Sequence, residues 1–287
     1  MIKQRIVTSF LLIPIVIFLL FSLSLTGFSL ITLAICMLSA WEWGKLAGLN
    51  SNSHKIFLTI LYGIFLTLLM IFMTSTHSSF LVWRINFISL TILFWWFIIV
   101  FCLILSYPYS STIWRTSILL RLIFGFLTIS PFFWGMLILR YHHYSTNSFI
   151  GAWWILYVMV LVWSTDTGAY IFGRTLGYYR LAPKISPKKT WEGFIGGLIT
   201  SATVSWLFGI YAPLESKSTV ALIVSSIATV LASVLGDLIE SMLKREVKIK
   251  DSSRLIPGHG GILDCIDSLI AALPIFTCFM LKIFQSI

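Results

Sequence analysis

The sequence predicts an all-α membrane protein that crosses the bilayer about nine times, with its N-terminus in the cytoplasm. Three observations support this prediction: 58% of the 287 residues are hydrophobic, only 10% are charged, and the mean hydropathy is +0.96. Soluble domains carry about 25% charged residues. Because so few polar side chains cannot cover a water-facing surface, the composition excludes a soluble globule, a disordered chain and a disulfide-rich secreted module.

Nine segments are apolar enough to cross the hydrocarbon core, which requires about 20 residues in a helix. In chain order they are residues 6–25, 28–47, 56–75, 86–105, 118–139, 150–172, 193–211, 218–240 and 262–284. The first resembles a signal peptide, but it is longer than the apolar region of one and no A-x-A site follows it. We therefore expect a single integral membrane domain over 1–287, with hydrophobic helices in 1–150 and the helices and loops of the candidate site in 151–287.

The basic residues orient these helices. The chain has 20 Lys and Arg against 10 Asp and Glu, and basic residues collect on the cytoplasmic side of a membrane protein. With the N-terminus inside, fifteen basic residues face the cytoplasm and four face the other side. Two polar loops, 173–192 and 241–261, then lie at the cytoplasmic face. We expect no nucleic-acid partner, because no basic stripe interleaved with aromatic residues lies outside the apolar segments.

The few carboxylates are concentrated near that face. Four aspartates from three predicted helices reach the same depth: Asp166, Asp237, Asp264 and Asp267. Each could pair with a nearby Lys or Arg, but the convergence of four favours a cation site, since an unpaired intramembrane Asp costs several kcal/mol. Asp264 and Asp267 are three residues apart and share a helix face. Glu42 and Glu215 lie elsewhere, and we expect them to be structural or solvated.

Oxygen ligands without a His or Cys cluster suit a hard cation, and Mg²⁺ is the usual one beside phosphates. We therefore predict that Asp237, Asp264 and Asp267 hold Mg²⁺, with a second cation also compatible. Basic residues next to them would bind phosphate oxygens. This combination favours phosphoryl or nucleotidyl transfer at the inner surface of the membrane.

The segment from Ser241 to Asp267 carries the most specific pattern: a basic helix end, a polar loop, a Gly-rich turn and a helix with two aspartates. Glycines allow close backbone approach to a ligand, and the N-terminus of a helix offers free N–H groups to an anion. The segment resembles the signature of the phosphatidate cytidylyltransferases, the CDP-diacylglycerol synthases. The matching positions are Ser241, Lys244, Arg245, Lys250, Asp251, Pro257, His259, Gly260, Gly261, Asp264 and Asp267.

Two further stretches, W-S-T-D-T-G-A-Y-I-F-G-R at 163–174 and S-P-K-K-T-W-E-G at 186–193, are similar to segments of the same family. The resemblance implies about nine transmembrane helices, often a homodimer, and a magnesium-dependent reaction. In that reaction CTP and phosphatidate give CDP-diacylglycerol and pyrophosphate for phospholipid biosynthesis. We expect a multi-pass protein of a bacterial inner membrane, since the chain lacks the hydrophilic N-terminal extension typical of larger eukaryotic relatives.

The candidate residues divide into three groups. Catalytic candidates are Lys244 and Arg245, which would bind the triphosphate or the lipid phosphate, and His259, which would bind phosphate or shape the loop. Lys188 and Lys189 would neutralise the β- and γ-phosphates. The remaining candidates for substrate binding are Asp166, Thr190, Trp191, Glu192, Ser241, Gly260 and Gly261. Trp191 would either stack on cytosine or anchor the chain at the membrane interface.

Four different functions compete with this interpretation. A cation-coupled transporter would also use intramembrane aspartates, although it would place them near the midplane and show inverted halves. A CDP-alcohol phosphotransferase would carry a D-G-x-x-A-R motif, and this sequence has no Asp-Gly dipeptide. The sequence is also compatible with a non-catalytic scaffold and with a catalytically impaired family member. Cys265, which stands where the family usually has Arg, suggests the impaired member.

Overall fold

The computed structural model describes the whole chain except residues 1, 76–95, 145, 212–218 and 282–287, and in addition omits the side chains of 2–7, 9, 74–75 and 219. The described part is mainly helical. The helices are α1 (Ile2–Ser22), α2 (Leu25–Leu46), α3 (Asn52–Ser75), α4 (described over Trp96–Leu105), α5 (Ser111–Trp114), α6 (Ile118–Tyr141), α7 (Ile150–Thr175), α8 (Trp191–Tyr211), α9 (Thr219–Glu246) and α10 (Ile262–Phe279).

Seven of these helices are long and apolar enough to cross a membrane, namely α2, α3, α6, α7, α8, α9 and α10. They coincide with seven of the nine predicted segments, so the multi-pass membrane architecture is confirmed. Apolar side chains on α3, such as Phe57, Ile64 and Leu68, are exposed, as expected for helices that face lipid. The count of nine stays a prediction, since residues 86–95 of the fourth predicted span lie outside the described residues. The orientation of the N-terminus also stays a prediction.

One of the two polar loops contains a small β-hairpin, which the expectation of an all-helical chain did not include. Strand β1 (Arg180–Ala182) pairs antiparallel with β2 (Ser186–Thr190), and Arg180 lies opposite Thr190. The hairpin was missed because β2 is short and polar, so its sequence lacks the alternation of apolar and polar residues that indicates a strand. It ends directly at the start of α8.

The described residues form two compact units, each with its own packing. The first is drawn from residues 1–137 and 243–266, and the second from 138–242 and 267–287. In the first unit α2 packs on α3, and the Trp43 indole N–H donates to the Arg121 carbonyl at 2.8 Å. The predicted division near residue 150 stays a prediction.

In the second unit α7 packs along α8. The buried residues of α8 are all small: Gly193, Gly196, Gly197, Ser201 and Ser205. Small residues let two helix backbones approach closely, which matters in a bilayer because lipid supplies no hydrophobic force between helices. The Tyr157 hydroxyl of α7 donates to Ser205 Oγ at 2.9 Å and is also bonded to Ser226 Oγ of α9. These hydroxyl contacts tie α7, α8 and α9 together.

Candidate active site

The Asp264 carboxylate is the centre of a hydrogen-bonded cluster in the first unit. It lies in the first turn of α10, and its side chain is 7% exposed. Oδ1 accepts a hydrogen bond from Lys244 Nζ at 2.7 Å, and Oδ2 accepts from the backbone N–H groups of Ser252 at 2.8 Å and Gly261 at 2.7 Å. Because Ser252 and Gly261 belong to the loop between α9 and α10, one carboxylate holds that loop both in its interior and at its C-terminal end.

A second buried carboxylate, that of Glu42 on α2, holds the same loop. Oε1 accepts from Ser253 Oγ at 2.6 Å and from the N–H of Ile262 at 3.0 Å, and Oε2 accepts from the N–H of Leu263 at 2.8 Å. The Ser252 hydroxyl lies 2.8 Å from Glu42 Oε2 and 2.9 Å from Asp264 Oδ2, so it bridges the two carboxylates.

Glu42 caps the N-terminus of α10 from another helix. The N–H groups of the first turn of a helix have no partner within the helix, and a negative charge there is stabilised by the helix dipole. Glu42 is 1% exposed, so it is structural rather than solvated. Its position in the candidate site was missed because it contacts residues 210 to 221 positions away. The available signal was its rarity, since an isolated Glu near the end of an apolar segment must find partners.

The two glycines of the turn make room for these carboxylates. Gly260 has a φ of +112°, and a Cβ atom there would lie 2.5 Å from Asp264 Oδ2. A Cβ atom on Gly261 would collide with Ser252 Oγ and the Glu42 carboxylate. The close backbone approach expected for a ligand is therefore made by side chains of the chain itself. Substrate binding by Gly260 and Gly261 stays a prediction.

His259 lies in the same turn. Its Nδ1 is 2.7 Å from Thr8 Oγ1 on α1, and its backbone N–H donates to the Ile256 carbonyl at 3.1 Å. These contacts fit the loop-shaping role that was one of its two predicted roles. Arg245, at the end of α9, is exposed.

The second unit brings another set of the predicted residues together. Asp237 Oδ2 on α9 forms an ion pair with Lys189 Nζ of β2 at 2.5 Å, and its Oδ1 accepts from Ser241 Oγ at 3.2 Å. The Asp166 carboxyl on α7 interacts electrostatically with both Asp237 and Lys189. Lys188 is exposed beside Lys189. Residues of α7, β2 and α9 thus form a charged cluster within this unit.

The predicted residues at the start of α8 form hydrogen bonds that hold the hairpin. Thr190 is 4% exposed, and its Oγ1 accepts from the N–H of Gly193 at 3.2 Å, as an N-cap residue does. Glu192 Oε1 accepts from the N–H of Tyr179 at 3.1 Å, and the N–H of Trp191 donates to the Tyr179 carbonyl at 2.9 Å. The Trp191 side chain is 49% exposed, which leaves its ring accessible to a ligand or to the membrane interface.

Asp267 begins the part of α10 that belongs to the second unit. A Cβ atom on Gly236 would lie 2.5 Å from the Asp267 carbonyl oxygen and 2.7 Å from Ala271 Cβ, so α9 and α10 approach closely there. The glycine thereby brings the turn of α9 that carries Asp237 next to the turn of α10 that carries Asp267. Asp267 Oδ1 accepts the N–H of Ser268 at 2.6 Å.

Carboxylate oxygens are the ligands that a hard divalent cation prefers, so the chemistry of the three aspartates fits Mg²⁺. Within the described residues, no group of three or more His, Cys, Asp and Glu is arranged around a common metal position. Asp237 and Asp264 are instead each paired with a lysine, as the sequence also allowed. Cys265, next to Asp264 on α10, is exposed.

Comparison with known proteins places the chain in a family. Residues 3–284 match the model of the cytidylyltransferase family. A phosphatidate cytidylyltransferase of Haemophilus influenzae is 41% identical over 97% of this chain and 98% of its own length. The protein named phosphatidate cytidylyltransferase in Pseudomonas aeruginosa is 37% identical over 98% of this chain and 97% of its own length. The one with that name in Bacillus subtilis is 39% identical over 56% of this chain and 59% of its own length. The resemblance indicated by the motifs is confirmed, and this chain belongs to the cytidylyltransferase family of nucleotidyltransferases.

Proposed function

We propose that this chain transfers CMP from CTP to phosphatidate, giving CDP-diacylglycerol and pyrophosphate for phospholipid biosynthesis in a bacterial inner membrane. Family membership, the names of the relatives and seven apolar helices support this activity. The observation that carries it is the convergence of Lys244, Gly261 and Asp264, three positions of the signature, in one buried hydrogen-bonded cluster. The relatives reported above all carry this one activity in their names, and none is a transporter.

The reaction requires little covalent chemistry from the protein. A phosphate oxygen of phosphatidate attacks the α-phosphorus of CTP, and the bond from that phosphorus to the bridging oxygen of the β-phosphate breaks. Pyrophosphate leaves with the bonding electron pair. A phosphomonoester has a second pKa of about 6, so the nucleophile is already largely dianionic near neutrality and a strong general base is not needed. Positioning and charge neutralisation are what the site must supply.

The basic residues supply most of that neutralisation. Lys188 and Lys189 bind the β- and γ-phosphates, and Lys189 turns from Asp237 to the nucleotide when CTP arrives. Lys244 and Arg245 bind the triphosphate or the lipid phosphate, while His259 shapes the turn before α10. Lys244 Nζ lies 2.7 Å from Asp264 Oδ1, so a phosphate bound beside that carboxylate would also lie near the ammonium group.

Asp237, Asp264 and Asp267 are the residues that would hold Mg²⁺, alone or with a second cation. When bound there, the ion would offset the negative charge of the reacting phosphates. The lysine partners of Asp237 and Asp264 support this assignment, because an ammonium occupies the kind of environment that a cation also favours. Asp267 adds a carboxylate from the same helix face as Asp264.

The nucleoside end of CTP would lie along α7 and the start of α8, near Asp166, Thr190, Trp191 and Glu192. The accessible ring of Trp191 suits stacking on cytosine, and Ser241, Gly260 and Gly261 would each take part in substrate binding. The acyl chains of phosphatidate remain in the bilayer.

The enzyme would act as a homodimer, with both polar loops and the N-terminus in the cytoplasm.

The test uses the full-length chain purified in detergent or nanodiscs, with CTP, phosphatidate and Mg²⁺. We expect CDP-diacylglycerol and pyrophosphate in equal amounts, identified by mass spectrometry and a pyrophosphate assay. Asp264→Asn should reduce turnover at least about 100-fold, the range seen when charge stabilisation of a transition state is lost. Glu246→Gln is the matched control, since Glu246 contacts Tyr107 and Arg115 outside the cluster and should leave turnover within about twofold.

Because Asp264 also holds the loop, the variant must be shown to fold. Hydrogen exchange and thermal unfolding of Asp264→Asn distinguish a lost site from a lost structure. Asp267→Asn provides a second variant at another predicted ligand of the cation. Pyrophosphate release that does not depend on phosphatidate, or full turnover in both aspartate variants, would refute the proposal.

A further inference from the structure

A basic cavity lies beside the Asp264 cluster in the first unit. Its volume is about 490 Å³, within the range of small-ligand sites. Its lining residues come from α2 and from the loop that joins α9 to α10: Lys45, Ile249, Lys250, Asp251, Ser253 and Arg254. Three cations and one carboxylate line it, and neither the motifs nor the proposed chemistry gives Lys45 or Arg254 a role.

The cations of the cavity are poorly neutralised. Lys250 and Arg254 are exposed and have no carboxylate partner among the residues that the structure describes. Lys45 Nζ donates a hydrogen bond to the Ser252 carbonyl at 3.2 Å, which holds it at the wall without cancelling its charge. A concave surface with uncompensated positive charge attracts anions, and phosphate oxygens accept hydrogen bonds from both guanidinium and ammonium groups.

The wall of the cavity is already ordered. Ser253, which lines it, donates its hydroxyl to Glu42 and accepts the N–H of Leu255 at 3.2 Å. The neighbouring Ser252 is held by Asp264 through its backbone N–H. The backbone that carries Lys250 and Arg254 is thus anchored to two buried carboxylates, so ligand binding does not have to order the loop.

We propose that this cavity binds a phosphate group of one of the two substrates, with Arg254, Lys250 and Lys45 as its donors. The excess of two positive charges in the lining matches a phosphate dianion, and the Ser253 side chain is another polar group of the lining. This inference rests on the proposed function, because it assigns a binding position for that reaction. The same chemistry is present in the terminal phosphates of CTP and in the phosphate of phosphatidate, and the experiment distinguishes the two.

The variants are Lys250→Gln and Arg254→Gln, and Lys248→Gln is the matched control. Lys248 is an exposed lysine of the same loop that does not line the cavity. Its φ is 56°, and because Lys and Gln both have an unbranched side chain, the exchange adds no new backbone strain there. KM and kcat are measured separately for CTP and for phosphatidate. Each cavity variant should raise the KM of one substrate roughly tenfold while kcat changes little, and the control should change neither by more than about twofold.

The substrate whose KM rises identifies the bound group. A rise for CTP, with weaker inhibition by inorganic pyrophosphate, assigns the cavity to the triphosphate, and a rise for phosphatidate with unchanged pyrophosphate inhibition assigns it to the lipid. An active enzyme in which both cavity variants behave like Lys248→Gln overturns the inference and leaves the proposed function intact. If the unaltered chain is inactive, the proposed function fails. In that case the phosphate site is tested by the thermal stabilisation that pyrophosphate and short-chain phosphatidate produce. If both cavity variants are stabilised as much as the unaltered chain, the inference is refuted.

Discussion

Replacing Glu42 with Gln tests whether the loop before α10 depends on the buried carboxylate. The amide keeps the size of the side chain but replaces one oxygen with an NH₂ group. Whichever oxygen is replaced, the N–H of Ile262 or of Leu263 then faces another donor, whereas the adjacent serine hydroxyl can rotate to accept. One orphaned buried N–H and the loss of charge on the remaining bonds should cost about 2 kcal/mol of unfolding free energy.

The assay is denaturation of the full-length protein by SDS in mixed micelles, combined with hydrogen exchange of the peptides that cover 247–263. Glu42→Gln should lower the unfolding free energy and accelerate exchange in this loop before other segments. Glu246→Gln is the control, because the amide keeps an oxygen that can accept from the Tyr107 hydroxyl, and the lost ion pair with Arg115, whose side chain is 62% exposed, contributes at most about 1 kcal/mol. If Glu42→Gln and the control change stability equally, or if loop exchange is unaltered, the assignment of Glu42 as the cap of α10 is wrong.

Two further predictions concern the same unit. Gly260→Ala should destabilise the protein by about 1–3 kcal/mol and loosen the Lys244–Asp264 pair, because a methyl group at a φ of +112° meets the Asp264 carboxylate. Gly258→Ala, at a φ of +83°, is the control for backbone strain alone. Equal unfolding free energies of the two variants would contradict the clash with Asp264. Burial and the hydrogen bond to Glu246 raise the pKa of Tyr107 to about 12, so its contribution to stability should be present below pH 10 and lost as the pH rises towards 12. The 295 nm titration difference between the unaltered chain and Tyr107→Phe should show this late ionisation, and a midpoint near 10 would contradict it.

The membrane-spanning helices could be predicted because the bilayer imposes a simple requirement on them. A span must be about 20 residues long and mainly apolar, and both properties can be read from the residues themselves. Seven predicted segments therefore coincide with helices of the structure. The hairpin at Arg180–Thr190 follows no such requirement, since it lies in a polar loop whose strands are too short for periodicity to reveal them.

The candidate site was predictable only as far as local periodicity reaches. Spacing places Asp264 and Asp267 on one face of α10, but it does not identify the partner of either residue. The pairing of Asp264 with Lys244 and the caps provided by Glu42 depend on tertiary packing between distant parts of the chain. The resemblance to the family drew attention to the signature residues. Glu42 and Lys45 lie outside that signature, and the structure alone shows that Glu42 holds the loop before α10 and that Lys45 lines the cavity.

The two lysine–aspartate pairs have a consequence for substrate binding. An ionised carboxylate near the apolar part of the bilayer is costly unless a cation is close, so Lys189 stabilises Asp237 and Lys244 stabilises Asp264 while no substrate is bound. A lysine that moves to a phosphate leaves its aspartate unpaired, and this cost must be offset by another cation at the carboxylate. Under the proposed function, the substrate phosphates draw the lysines away, and the bound cation then neutralises the aspartates. The phosphates in turn neutralise the lysines that the cation displaces. The two affinities are therefore coupled, and each ligand should tighten the other by the same factor.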